Sequence, residues 1–221
     1  MAVGTLSIGL LFIAGTFMTG IYFSALAAEQ TIAAVAADEA FAKINLYGIN
    51  PENLADDQLN SFEDLSSIDP NEFSYPSTGT NTSQMQYSWS ALCRRINPDP
   101  NSRLVQMSVF IARKTGPSAS YRGGKGRPVP MKVGISAIAG QTRLTITEAD
   151  KVTWINDGYT IVDDKTGQIY RVIERDAEQP DRIRLDRIWQ GESAGWVWVV
   201  PPPAGGGKNP NIAIYQKIIR F

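Results

Sequence analysis

Hydrophobic and polar positions change rhythm twice along this chain. From Met1 to Ala28 no side chain is charged, and a run that long and apolar exceeds the roughly 20 residues a helix needs to cross a hydrocarbon core of about 30 Å. From Glu29 to Tyr47 the text continues without Gly or Pro, and Ile32, Ala36, Ala40, Ile44 and Tyr47 recur every three or four positions, as one apolar stripe on a helix does. The spacing predicts a single helix, 1–28 transmembrane and 29–48 amphipathic, roughly 70 Å long at about 1.5 Å per residue. Glu39 and Lys43 stand in the favourable i,i+4 order, and Gly48 with Pro51 supplies a stop signal.

The lipid half is not uniformly greasy. Thr5, Ser7, Thr16, Thr19 and Ser24 alternate with Gly4, Gly9, Gly15 and Gly20 among Leu, Ile and Phe, and small residues let helices approach closely in lipid. Leu6, Leu10, Ile13, Phe17 and Ile21, three or four apart, form the candidate helix assembly face. A lone anchor that tolerates glycine has the same composition.

The second change of rhythm follows an acidic, Pro- and Asn-rich connector over 49–84, read as a low-regularity segment with short helical turns between Pro51 and Leu59. Period-two alternation then takes over. Tyr87, Trp89, Ala91 and Cys93 line one strand face, and after the turn at 97–101 Val105, Met107, Val109 and Ile111 line a second, which predicts a hairpin with one buried face. Residues 116–130 are rich in Gly and Pro and carry Arg122, Lys125 and Arg127, the mark of an exposed basic loop. Further strands are predicted over 131–138, 142–147, 158–162, 168–173, 183–188, 196–200 and 212–221, with a hairpin turn at Asp163–Gly167. The expected fold class is α+β: a long N-terminal helix packed on a mostly antiparallel sheet, the β-rich domain filling 85–221, and the stripe from Ile32 to Tyr47 covering the apolar sheet face.

Composition narrows the chemistry. With 21 Lys plus Arg against 22 Asp plus Glu, near-neutrality points away from nucleic acid and from an anionic surface as the main partner. The absence of histidine removes His-based triads, His general bases and most zinc sites. The single Cys93 falls on the apolar strand face and reads as a small buried hydrophobe. Gly124-Lys125 lacks the flanking Gly and Ser or Thr of a phosphate-binding loop. The pairs Asp56-Asp57, Glu63-Asp64 and Asp163-Asp164 lack calcium-loop spacing and read as solvated or capping residues. Trp189, Trp196 and Trp198 read as core or oligomer-contact residues. No catalytic, cofactor-binding or metal-binding residue is assigned, and an enzyme is the least expected class.

Together these features resemble the type IV pilins and the pilin-like pseudopilins of type II secretion. Met1-Ala2-Val3-Gly4-Thr5-Leu6-Ser7-Ile8-Gly9-Leu10-Leu11 is similar to the family helix just after its processing motif. Gln30 to Ile44, with its Ala-rich run and Asp38-Glu39, is similar to the following helix half in minor pilins of the PilV kind. The strands at Tyr87-Ser88-Trp89-Ser90 and Leu104 to Ala112 look like the paired strands of such proteins. The helix resemblance covers about a fifth of the chain and is the more specific part. It implies a structural, non-enzymatic minor pilin or pseudopilin in the bacterial inner membrane, single-pass, with its C-terminal domain periplasmic or extracellular. Assembly would then carry it into a type IV pilus or a secretion pseudopilus. The implied partners are other pilin-like subunits, a membrane assembly platform, the bilayer, and a prepilin peptidase if a leader lies upstream.

The departures are specific. The family's basic leader, cleavage-site glycine, methylated first residue and nearby glutamate have no counterpart, since the first acid is Glu29 and the first base Lys43. The expectation is a start at a methionine inside the mature helix, and no assembly glutamate is carried over. The family's disulfide-bounded loop is also missing, which favours a minor component. The alternative is a secreted or membrane-anchored β-rich binding domain, for which Ala25-Leu26-Ala27 supplies an A-x-A signal peptidase site.

Overall fold

The computed structural model describes residues 2–55, 58–77, 85–97, 99, 102–116, 119–138 and 140–221, with helix side chains described at residue 10 and from residue 15 onward. Helix α1 runs unbroken over Ala2–Tyr47, 46 residues. It ends where Gly48 takes φ +64° and its N–H reaches the Ile44 carbonyl at 2.9 Å, a left-handed C-terminal cap that glycine enters without steric cost.

The buried stripe is wider than the sequence pattern indicates. Ala33, Ala36, Ala37, Ala40, Phe41 and Ile44 are each no more than 4% exposed, and they fill a band roughly 140° wide at about 100° per residue. Four alanines in that band bring the helix backbone close to the sheet. Ile32 lies at its margin and is half-buried. Tyr47 lies at an angle within the band yet is 44% exposed, because it closes the helix just before the chain turns away at Gly48.

The first sheet is built from β1 (Asn60–Ser61), β2 (Ser74–Tyr75), β3 (Tyr87–Arg95), β4 (Leu104–Arg113) and the last strand of the chain, Asn211–Arg220, with a short helix α2 (Phe62–Leu65) following β1. Its order is β1-β3-β4-last strand, with β2 also pairing β3. Antiparallel register sets Trp89 opposite Ile111, Ala91 opposite Val109 and Cys93 opposite Met107. These odd-numbered positions face α1 in one core with Ala36, Ala40 and Ile44.

The expectation of one buried hairpin face is corrected here. The even-numbered Leu92 and Phe110 are also buried, packed with Leu59, Val162 and Val200. A second body covers that side, and the polar residues at Ser88, Ser90 and Ser108 had hidden it from a pattern reading.

That second body is a closed antiparallel barrel formed by β5 (Met131–Ala137), β6 (Arg143–Ile146), β7 (Thr160–Asp163), β8 (Ile169–Arg175), β9 (Arg182–Leu185) and β10 (Ala194–Val199), ordered β10-β5-β6-β9-β8-β7. The last strand, now β11, returns to pair β4, so the barrel is an insertion between two neighbours of the first sheet. Val133, Ile135, Leu144, Tyr170, Val172 and Val197 fill the barrel, with Trp154 and Trp189 among them. Period-two alternation is the same in an open sheet and a barrel. Pairing of β10 with both β5 and β7 is what closes this one.

The connector is also more ordered than its composition suggests. Its described part holds β1, α2, β2 and 3-10 turns at Pro51–Asn53 and Pro70–Phe73. Leu54, Leu59, Phe62, Ile68 and Phe73 are buried, and Arg95 donates to the carbonyls of Pro51 and Leu54, both at 3.1 Å. These apolar residues follow no single period, because each belongs to a different short element. Asp56 and Asp57 lie outside the described residues.

Candidate assembly surface and the cleft at its base

Residues 2–28 of α1 make roughly 40 Å of helix, and the described side chains from Gly15 to Ala28 are exposed all the way round. Among the described residues this helix alone is long and apolar enough to cross a membrane. Of the candidate assembly face, Leu10, Phe17 and Ile21 are 64%, 70% and 65% exposed. The side chains of Leu6 and Ile13 lie outside the described residues. Met18, Tyr22 and Phe23 are equally bare, so the structure selects no single face. The Thr19 hydroxyl donates to the Gly15 carbonyl at 2.9 Å and Thr31 to Ala27 at 3.0 Å, so both exposed hydroxyls are satisfied by their own helix.

The packing half is pinned by polar contacts around its apolar band. Lys43 reaches Glu39 at 3.0 Å, the Glu72 carboxylate at 2.8 Å and the Glu72 carbonyl at 2.8 Å. Trp89 donates its indole N–H to that same carbonyl at 2.9 Å. On the β11 side Lys217 lies 4.4 Å above the Phe41 ring and pairs with Asp38 at 3.1 Å.

Where α1 leaves the body, a cleft of about 730 Å³ opens. Glu29 and Arg113 form an ion pair across it, and Tyr87, Lys114, Thr115, Lys208 and the Gly205–Gly207 run line it. Backbone bonds hold its loops: Arg113 N–H to the Pro210 carbonyl at 2.9 Å, Lys114 N–H to Gln86 at 2.7 Å, and Ala204 N–H to Ser120 at 2.9 Å. No local sequence signal joins Glu29, Arg113 and Lys208. The one available clue is that Glu29 is the first charge after the apolar run.

The other candidates resolve into structural roles. Asp163 and Asp164 are buried, 3% and 7% exposed. Asp163 caps its own turn by accepting from the Thr166 N–H at 3.1 Å. Asp164 accepts from the Trp198 indole at 2.6 Å and pairs with Lys132 at 3.0 Å. Among the described residues no group of three or more His, Cys, Asp or Glu is placed to hold a metal ion.

In the basic loop the expectation of exposure is corrected at Arg127, 5% exposed. Its guanidinium pairs with Glu63 at 2.6 Å, donates to the Trp89 carbonyl at 3.1 Å and stacks 4.4 Å from the Phe73 ring. Burial pushes its pKa down, opposed by the charge and hydrogen bond of Glu63. Cys93 is fully buried, and burial raises its thiol to about 12. Trp189 is core, whereas Trp196 is 46% exposed with Lys151 near its ring.

Compared with protein-family models, with curated proteins and with solved structures, the chain matches none.

Proposed function

We propose that this chain is a structural, non-enzymatic pilin-like subunit, a minor pilin or pseudopilin, held by residues 2–28 of α1 in a bacterial inner membrane and drawn from there into a helical filament. The observation that carries this reading is one unbroken helix, apolar in sequence over its first half and bare at its described positions there, Leu10 and Gly15 to Ala28, while its second half buries one band on an antiparallel sheet. An all-round apolar helix packs against lipid or against like helices at similar cost, so transfer between the two need not be prohibitive. The barrel packs on the sheet face opposite the helix, an arrangement that is compatible with α1 joining a bundle of like helices.

Fractionation of source cells tests this. The chain is expected intact in the inner membrane and in sheared filaments, with cysteines placed at Phe17 and Ile21 cross-linking to neighbouring subunits. Recovery only as a soluble chain beginning at Ala28 overturns the proposal in favour of a secreted β-rich binding domain.

A further inference from the structure

The cleft at the foot of the projecting helix combines a charge imbalance with a defined depth. Arg113, Lys114 and Lys208 bring positive charge to it, and Glu29 brings the carboxylate that Arg113 already holds. Lys114 is half-buried and Lys208 exposed, and among the described residues neither ammonium has an ion-pair partner. Thr115 and Tyr87 also line the cleft, and Gly205–Gly207 line the space without side chains. The cleft is therefore left with two uncompensated cations and room for a polar group.

Its depth follows from α1. No side chain from Met1 to Ala28 is charged and Glu29 is the first that is, so in a helix that spans the bilayer Glu29 lies at or just beyond the plane where hydrocarbon gives way to headgroups. The anions concentrated in that plane are lipid phosphates, which attract juxtamembrane Lys and Arg. We propose that the cleft holds the phosphodiester of an anionic phospholipid headgroup while α1 lies in the bilayer, an assignment that rests on the membrane reading of α1. The Arg113 fork, shared with Glu29, orients the phosphate, and Lys114 and Lys208 neutralise it. Extraction of the helix from the membrane then requires release of that lipid.

The full chain, solubilised in non-ionic detergent and reconstituted into vesicles of phosphatidylcholine mixed equally with phosphatidylglycerol, provides the test. After re-solubilisation, native mass spectrometry reads the retained lipid. Phosphatidylglycerol is expected to be retained over phosphatidylcholine, and the paired changes Lys114→Glu and Lys208→Glu are expected to reduce that retention by at least about tenfold. Arg171→Glu with Arg182→Glu, an equal charge change on exposed barrel positions, should leave it unchanged. A thermal melt matching the unsubstituted chain shows that the variants are folded.

Equal retention of the two lipids, or retention indifferent to Lys114 and Lys208, overturns the assignment. So does binding of inorganic phosphate that is lost on Lys114→Glu with Lys208→Glu while neither lipid is retained over the other, which identifies a free-anion site. Failure of the chain to float with vesicles of either composition removes the membrane reading itself, an outcome read separately from lipid preference.

Discussion

Glu29 and Arg113, 84 positions apart in the sequence, pair side by side where α1 leaves the folded body. The pair joins the last turn of the projecting half to the end of β4. Its side chains are 27% and 30% exposed, so partial solvent screening limits its contribution. Arg113→Ala is expected to lower the stability of the detergent-solubilised chain by about 1 kcal/mol. In a double-mutant cycle with Glu29→Gln, the combined change should cost no more than Arg113→Ala alone. Strict additivity of the two melting shifts would show that the pair carries no coupling.

Ile44 and Tyr47 were expected to share one stripe, and the structure separates them. Ile44 is fully buried beneath the sheet and Tyr47 is 44% exposed. Ile44→Asp places an unpaired carboxylate in the helix-sheet core and should cost about 4 kcal/mol, whereas Tyr47→Asp should stay within about 0.5 kcal/mol. Denaturant titration of both variants checks the contrast, and equal effects would remove the packing assignment.

Glu63 is the anion that compensates the buried Arg127. Replacing it with Gln keeps the shape and leaves the guanidinium charge unpaired among Phe73, Trp89 and Ser90. The expected loss is about 3 kcal/mol, read as a lowered denaturation midpoint. Glu63→Gln combined with Arg127→Met should recover part of it, since the unpaired charge is then gone.

Gly167 closes the β7–β8 turn with φ +69°, and a Cβ there would lie 3.0 Å from Gln106 Nε2 and 3.2 Å from Arg94 Nε. Its carbonyl accepts from Gln216 at 2.6 Å, so the turn is both left-handed and pressed onto the first sheet. Gly167→Ala is expected to cost about 2 kcal/mol from strained backbone and displaced neighbours. Hydrogen exchange should show the loss concentrated between barrel and sheet; an unchanged melt would show that the contact is loose.

Cys93 offers a pH test. Its thiol rises from the ordinary value near 9 to about 12 on burial, so above pH 9 the unfolded chain ionises and the folded chain does not. The unfolded state then binds fewer protons, and stability falls as pH rises from about 9 towards about 12, by up to about 1.4 kcal/mol per unit. Cys93→Ala should lack that component, which isolates it from Lys and Tyr titrations. In the native protein the thiol should resist labelling until denaturant is added, and rapid labelling of the folded chain would contradict its burial.

What the sequence determined by itself is what periodicity can carry. Twenty-eight uncharged residues followed by an apolar recurrence of three and four specify the helix and the side it buries, because side-chain direction along a helix depends only on local geometry. Period-two alternation likewise marked the longer strands of both β bodies, and turn residues marked Asp163–Gly167, but the two-residue strands β1 and β2 inside the connector are too short to show a period. Alternation states which side of a strand is apolar, not which strand lies beside it.

Only the tertiary structure decided the rest. Closure of β5–β10 into a barrel, return of β11 to β4, and burial of the hairpin's second face depend on pairings between segments distant in the chain. The burial of Arg127 needed Glu63 and Phe73, and the cationic cleft needed Arg113 and Lys208 brought to the exit point of the helix. A net charge of -1 averages such a cluster away. Coulomb interactions act over a few ångströms of space whatever the separation along the chain, so this chemistry entered only once the fold had set its distances.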